Sequence, residues 1–191
     1  MTIFEYVSVL LAIVLGLAVS RAMAGVAIFV ASEHRSANDW LVAGWCLGLI
    51  FMQVIWWLGG WFLYRDLEIF PLGTIMFWVT ATALISLAAY VLVPHTAGRN
   101  LGAATPSPTI SPAFYVCLGS HFGIVLANGF LTGASAGQLV VTGVPFALTT
   151  AGYFLKTVKA QVIHLLVWLL FLLIVSSLVV PSIGADSTLN L

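Results

Sequence analysis

Residues 3–31 read IFEYVSVLLAIVLGLAVSRAMAGVAIFVA, an apolar run that contains two charged side chains, Glu5 and Arg21. A transmembrane helix needs about 20 predominantly apolar residues, because the hydrocarbon core of a bilayer is roughly 30 Å thick. This run is longer, so it predicts a spanning helix that tilts or projects beyond the lipid. No Lys or Arg precedes it, which favours a retained helix over a cleaved signal peptide.

The composition of the whole chain indicates the same environment. Of 191 residues, 62% are hydrophobic and 6% are charged, whereas a soluble domain carries about 25% charged residues. Such a chain could not cover a water-facing surface, so lipid must be its solvent. The formal net charge is zero, which indicates no nucleic-acid partner. Cys46 and Cys117 lie in apolar stretches without metal-type spacing.

Six segments satisfy the length of a membrane span. We predict an all-α, polytopic bundle in one domain (1–191), with spans at about 3–31, 40–64, 74–93, 113–131, 137–154 and 162–180. The fifth span is the weakest, because Gln138, Thr142, Pro145, Thr149 and Thr150 dilute it. Pro145 is a candidate break in this span, and Pro181 is expected to end the sixth.

Basic residues in the short loops predict the orientation. The first, third and fifth loops contain Arg35, Arg99, Lys156 and Lys159, and the opposite side contains Arg65. Lys and Arg accumulate on the cytoplasmic side of bacterial membrane proteins. Both termini are therefore predicted to be periplasmic.

Small residues recur at every fourth position of the first span: Ser8, Ala12, Gly16, Ser20 and Ala24. Residues four apart share a helix face, and small residues let two helices approach closely in lipid. The stripe predicts a helix-packing seam, either inside the chain or between subunits.

Arg21 lies in the same span, about 27 Å from its start at a rise of about 1.5 Å per residue. At that depth the guanidinium can reach the lipid headgroups, because long basic side chains snorkel. The alternative is an ion pair, with Glu33, Asp39 or an anionic lipid as the nearest partner.

The second span is rich in indoles: Trp45, Leu49, Gln53, Trp57 and Trp61 follow one another at four-residue spacing, with Trp56 beside them. An amide near the middle of a membrane needs a hydrogen-bond partner. One interpretation is a helix–helix hydrogen bond from Gln53. The other is an indole face that contacts a flat apolar ligand such as a quinone, a carotenoid or a chlorophyll.

Two histidines, His121 and His164, fall within predicted spans. Neutral imidazole ligates haem iron and chlorophyll magnesium, so both are candidate ligands. Their predicted depths differ, which favours separate hydrogen-bonding roles instead. The sequence has no catalytic motif and no metal-binding spacing, and it requires no cofactor.

The opening Phe4-Glu5-Tyr6-Val7-Ser8, followed by Leu15-Gly16-Leu17, resembles a group of uncharacterised bacterial polytopic membrane proteins. The similarity extends to Gln53 with Trp56-Trp57, and to His164 at the start of a Leu-rich last span. The resemblance implies a bacterial cytoplasmic (inner) membrane and carries no activity.

The function expected from these patterns is non-catalytic. The chain would be an accessory or structural subunit of a larger membrane complex, for example an energy-transducing one, or a homo-oligomer. Its partners would be membrane lipids, other transmembrane subunits or copies of itself. One alternative is a small-solute channel or transporter with a path lined by Gln53, Asn128, Thr142, Thr149 and Thr150. Another is a haem- or pigment-binding protein.

Overall fold

The computed structural model describes residues 3–33, 36–64, 71–93 and 109–185, with side chains described as far as Ser177. These residues form six α-helices and no β-strand. In chain order they are α1 (Ile3–Ala31), α2 (Ala37–Tyr64), α3 (Leu72–Leu92), α4 (Pro112–Thr132), α5 (Ala136–Tyr153) and α6 (Val158–Ala185). The prediction of an all-α helical bundle is confirmed.

Five of these helices are long and apolar enough to cross a membrane: α1 to α4, and α6 over Val158–Ser177. The chain is therefore an integral membrane protein. Helix α5 has 18 residues and falls outside this set, so the count by length and hydropathy is five where the sequence analysis expected about six. The polar residues within α5 account for the difference.

Helix α5 nevertheless runs back along α4. Glycines bring the two helices together at successive turns, in the pairs Tyr115–Gly152, Gly119–Thr149, Gly123–Phe146 and Gly129–Leu139. Because the numbers rise along one helix as they fall along the other, the two helices form an antiparallel hairpin of similar length. Pro145 lies inside α5 without ending it.

Polar side chains cap the starts of α2, α4, α5 and α6. In α5, Ser135 accepts from the Gln138 backbone N–H while the Ser135 N–H donates to the Gln138 side chain, a reciprocal cap. At the start of α2, the Asp39 N–H donates to the Ser36 hydroxyl and the Ser36 N–H donates to the Asp39 carboxylate. Such caps satisfy N–H groups that have no partner within the helix.

The last helix is longer than its pattern predicts. It begins at Val158 rather than near 162, and it continues past Pro181 to Ala185. Thr157 explains the early start, because its hydroxyl accepts from the backbone N–H of Ala160 at 3.3 Å. Pro181 lacks the N–H that would donate to the carbonyl of Ser177, so α6 loses one backbone hydrogen bond four residues before its end.

The core has two parts. A large cluster joins buried side chains of α1, α2, α3, α4 and α6, with Trp45, Ile85, Phe114, Leu118 and Trp168 among its members. A smaller cluster, with Phe4, Val7, Leu11 and Trp78, joins α1 to α3. Large apolar side chains also cover the outside, for example Leu131 and Leu170. An apolar exterior around an apolar core is the arrangement expected in lipid.

Candidate functional site

Inside the chain, the small-residue stripe of α1 is not the packing seam. Ser8 is buried and Ala24 is half-buried, but Ala12, Gly16 and Ser20 are exposed. A Cβ built on Gly16 meets no described heavy atom within 4 Å beyond its own stretch of helix. A packing role for this stripe therefore stays a prediction, and it concerns contact with another chain.

The number of residues per helical turn explains why the stripe does not stay on one face of α1. One turn takes 3.6 residues, so each four-residue step rotates by about 40°, and five such positions sweep about 160° around the axis. The seam that packs inside the bundle alternates steps of four and three: Phe4, Ser8, Leu11, Leu15, Ala18, Ala22 and Gly25 are all buried. An average step of 3.5 residues keeps one face toward its neighbours. The predicted four-residue stripe missed this alternation, because apolar residues occupy every face of α1 and do not mark the buried one.

Arg21 lies against α3. Its Cζ is 6.0 Å from the ring centroid of Tyr90, a cation–π distance. Its Nε and Nη2 are buried, with no hydrogen-bond partner among the described residues. Asp39, a predicted partner, instead accepts from the N–H and the hydroxyl of Ser36. Tyr90 is in the last turn of α3, so the guanidinium of Arg21 lies at the level where α3 ends. Contact of this guanidinium with lipid headgroups stays a prediction.

The indoles of α2 do not form one continuous face, for the same rotational reason as in α1. Trp45 is buried against Phe114, Tyr115, His164 and Trp168. Trp57 stacks on Trp61 with centroids 5.6 Å apart. The indole of Trp56 donates to the hydroxyl of Thr82 at 3.0 Å. The five residues predicted to contact a flat ligand therefore have different neighbours and do not form one surface. Contact of the partly exposed Trp57 and Trp61 with such a ligand stays a prediction.

Gln53 is buried, at 1% exposure, and its amide oxygen and nitrogen have no hydrogen-bond partner in the described part of the chain. Its place in the second span predicts a helix–helix hydrogen bond. None of the described residues supplies one to this buried amide.

His121 is held by a backbone carbonyl. Its Nδ1 lies 2.8 Å from the carbonyl oxygen of Ala81 in α3. Because a carbonyl only accepts, Nδ1 carries the proton, and the neutral ring keeps its lone pair on Nε2. The indole of Trp56 lies edge-on at a centroid distance of 4.8 Å. His121 therefore joins α4 to α3 and α2.

His164 is held in the same way on another helix pair. Its Nε2 lies 2.8 Å from the carbonyl oxygen of Leu148 in α5, so Nε2 carries the proton and Nδ1 is the acceptor. Nδ1 is buried and has no hydrogen-bond partner among described residues. Trp45 and Tyr115 lie beside the ring, each at a centroid distance of 5.7 Å.

The structure does not bring the two histidines together. The ring neighbours of His121 are Trp56 and Phe122, and those of His164 are Trp45 and Tyr115. A bis-histidine haem needs both imidazoles on opposite faces of one porphyrin. Over residues 3–33, 36–64, 71–93 and 109–185, no group of three His, Cys, Asp or Glu is arranged to hold a metal ion.

Gln161 is a structural residue that the sequence analysis missed. Its side-chain oxygen accepts from the buried backbone N–H of Ile110 at 2.9 Å, and its amide nitrogen donates to the Leu155 carbonyl at 3.1 Å. The residue is 1% exposed. It ties the chain entering α4 to the start of α6. A glutamine immediately before the apolar run at 162 was the available signal.

The threonines proposed for a polar path bond to their own helix. The hydroxyls of Thr142, Thr149 and Thr150 donate to the carbonyl oxygens four residues earlier, at 2.8–3.0 Å. Gln53 is on α2, which packs against α1, α3 and α6, whereas α5 packs against α4 and α6. Gln53 thus lies on a helix without a substantial interface to α5, whereas Asn128 is on α4, which packs directly against α5.

An open groove of about 280 Å³ runs between α4 and α5. Its lining includes Tyr115, Gly119, Gly123, Phe146, Thr150 and Phe154. Gly119 and Gly123, where the two helices approach closely, also line the groove and carry no side chain that would fill it. The hydroxyl of Thr150 is turned to its own backbone, so the wall is largely apolar.

Comparison with protein-family models, with curated proteins and with solved structures gave no match. Function is therefore inferred from the geometry of the chain.

Proposed function

We propose that this protein is a non-catalytic integral membrane protein that works by helix association through the outer face of α1. We define that face as Ala12, Gly16 and Ser20. The observation that carries the proposal is the open surface at Gly16, where a Cβ would meet no described atom of another element within 4 Å. Neighbouring outer positions bear large side chains, such as Ile13 and Leu17. A small-residue depression between large side chains is the form that helix pairs use to pack in lipid.

The hydrogen bonds of the buried polar side chains support a structural role over catalysis or transport. His121 and His164 each hold a backbone carbonyl, and Gln161 holds two backbone groups. Polar groups fixed in this way stabilise helix contacts. Their hydrogen-bond partners are backbone groups of other segments of the chain.

The partner that we propose is a second copy of the chain, paired α1 to α1. Two identical outer faces are self-complementary about a twofold axis, and Gly16 would lie near the crossing point. A different transmembrane subunit, as in an accessory role within a larger complex, is the other outcome of the test.

The test places a large side chain on the outer face of α1. Gly16→Ile should convert the oligomer to a monomer, or release the protein from its complex, because the branched side chain holds the helices apart. Blue-native electrophoresis and light scattering in mild detergent would measure the change in mass.

Gly59→Ile is the matched control, since a Cβ added to Gly59 on α2 would also meet no described atom of another element within 4 Å. It should leave the mass of the assembly unchanged. A native protein that is monomeric in every mild detergent, or an assembly that survives Gly16→Ile, would refute the proposal.

We also propose a bacterial cytoplasmic membrane, with both termini periplasmic, as the location. The resemblance in the first two helices and the basic residues of the first, third and fifth loops support it, and the antiparallel run of α5 along α4 supports an even number of crossings. Alkaline phosphatase fused to the C-terminus should be active. An inactive phosphatase, with a fluorescent green-fluorescent-protein fusion, would place that end in the cytoplasm.

A further inference from the structure

We infer that the groove between α4 and α5 holds one acyl chain of an anionic phospholipid, whose phosphate lies beside Lys156 and Lys159. The inference is independent of the α1 face, because it concerns the other half of the molecule.

The length of the groove fits one leaflet. Its lining along α4 runs from Tyr115 to Gly123, which is about 12 Å at 1.5 Å per residue. One leaflet of hydrocarbon is about 15 Å thick, half of a bilayer core. Gly123 is near the middle of α4 (Pro112–Thr132). The groove therefore begins where α4 begins and ends near the centre of the membrane, as an acyl chain from that side would.

The wall of the groove suits a hydrocarbon chain. Gly119 and Gly123 form its floor, and Phe146 and Phe154 are part of its sides. The hydroxyls of Thr149 and Thr150 are occupied by carbonyl oxygens of α5. Tyr115, Ser120 and Tyr153 add hydroxyls to an otherwise apolar lining, which suits a chain of methylenes better than a polar solute.

Charge at the open end selects the headgroup. Phe154 lines the groove, Lys156 follows it by two residues, and both Lys156 and Lys159 are exposed. The sequence contains no acidic residue between Glu68 and Asp186. The two lysines therefore have no acidic neighbour along the chain, and an anionic lipid headgroup can neutralise them.

The experiment uses the full chain, delipidated in detergent, with phosphatidylglycerol and phosphatidylcholine of identical acyl chains as probes in native mass spectrometry. Phosphatidylglycerol should bind more tightly. The double variant Lys156→Gln/Lys159→Gln should lose this preference, by roughly fivefold per lysine, which corresponds to about 1 kcal/mol each. Arg35→Gln/Arg99→Gln removes the same charge from other loops of that side and should keep the preference.

A second variant tests the groove itself. Ser120 is exposed and lines it, so Ser120→Phe should fill the space and weaken binding of both lipids. Ser177→Phe, the same change on an exposed position of α6, should have no effect. Equal binding of the two lipids, or equal loss in the two double variants, would overturn the inference, as would full binding in Ser120→Phe. All of these readouts are separate from oligomeric mass.

Discussion

The two faces of α1 both carry small residues, and they use them in opposite ways. On the inner face, Ala18 and Ala22 are fully buried, and a Cβ on Gly25 would come within 2.6 Å of the Cys46 sulfur. On the outer face, Gly16 has open space around it. Small residues thus permit close contact inside the chain and leave a free depression outside it. Residue type alone does not distinguish the two uses; position around the helix does.

The largest expected effect comes from adding bulk to each face in turn. Gly25→Leu should destabilise the protein by about 3 kcal/mol or more, because the new side chain must displace Cys46 and Val93 from a packed core. Gly16→Leu should change stability by less than about 1 kcal/mol, since it enters open space. Thermal unfolding measures both, in a detergent that keeps the wild type and both variants monomeric, so that loss of the proposed α1 pairing does not enter the comparison. Similar losses from the two variants would abolish the distinction between the faces.

Two buried glutamines extend the comparison to polar groups. Gln161→Leu should destabilise by about 1–3 kcal/mol, because it leaves the buried N–H of Ile110 without its acceptor. Gln53→Leu should be neutral or stabilising, because the Gln53 amide has no partner among the described residues. Unfolding in graded denaturing detergent, with the wild type alongside, would compare them. A larger loss for Gln53→Leu would indicate a partner for that amide.

The smallest effect concerns single hydroxyls. Thr82→Val removes the acceptor of the Trp56 indole and should lower stability by about 1 kcal/mol. Thr150→Val should have almost no effect, because that exposed hydroxyl bonds to a carbonyl of its own helix. The tryptophan fluorescence spectrum gives an independent check, since only Thr82→Val changes the hydrogen bonding of an indole. Identical stability and spectra for the two variants would contradict the assigned roles.

Much of the fold could be predicted because its signals are local. Apolar length located all six helices, and the boundaries of α2 to α5 were placed within three residues. The start of α6 was placed too late because Thr157 and Gln161 are polar residues that the helix uses for its cap and its buried hydrogen bonds. The predicted site residues are a different case. Grouping Trp45 with Trp61 assumed that a four-residue repeat stays on one face, and the rotation of about 40° per step separates them.

That this protein is a bundle of membrane helices follows from its amino-acid sequence, because burial in lipid depends on the length and hydropathy of each segment. Which side chains contact each other follows from the packing of the helices. In the folded chain, His121 donates to the carbonyl oxygen of Ala81 and His164 to that of Leu148. Gly16 lies on the outside of the bundle. In a chain this apolar, every helix face is compatible with lipid, so hydropathy does not show which face turns inward. Shape complementarity and the need to satisfy buried polar groups make that choice.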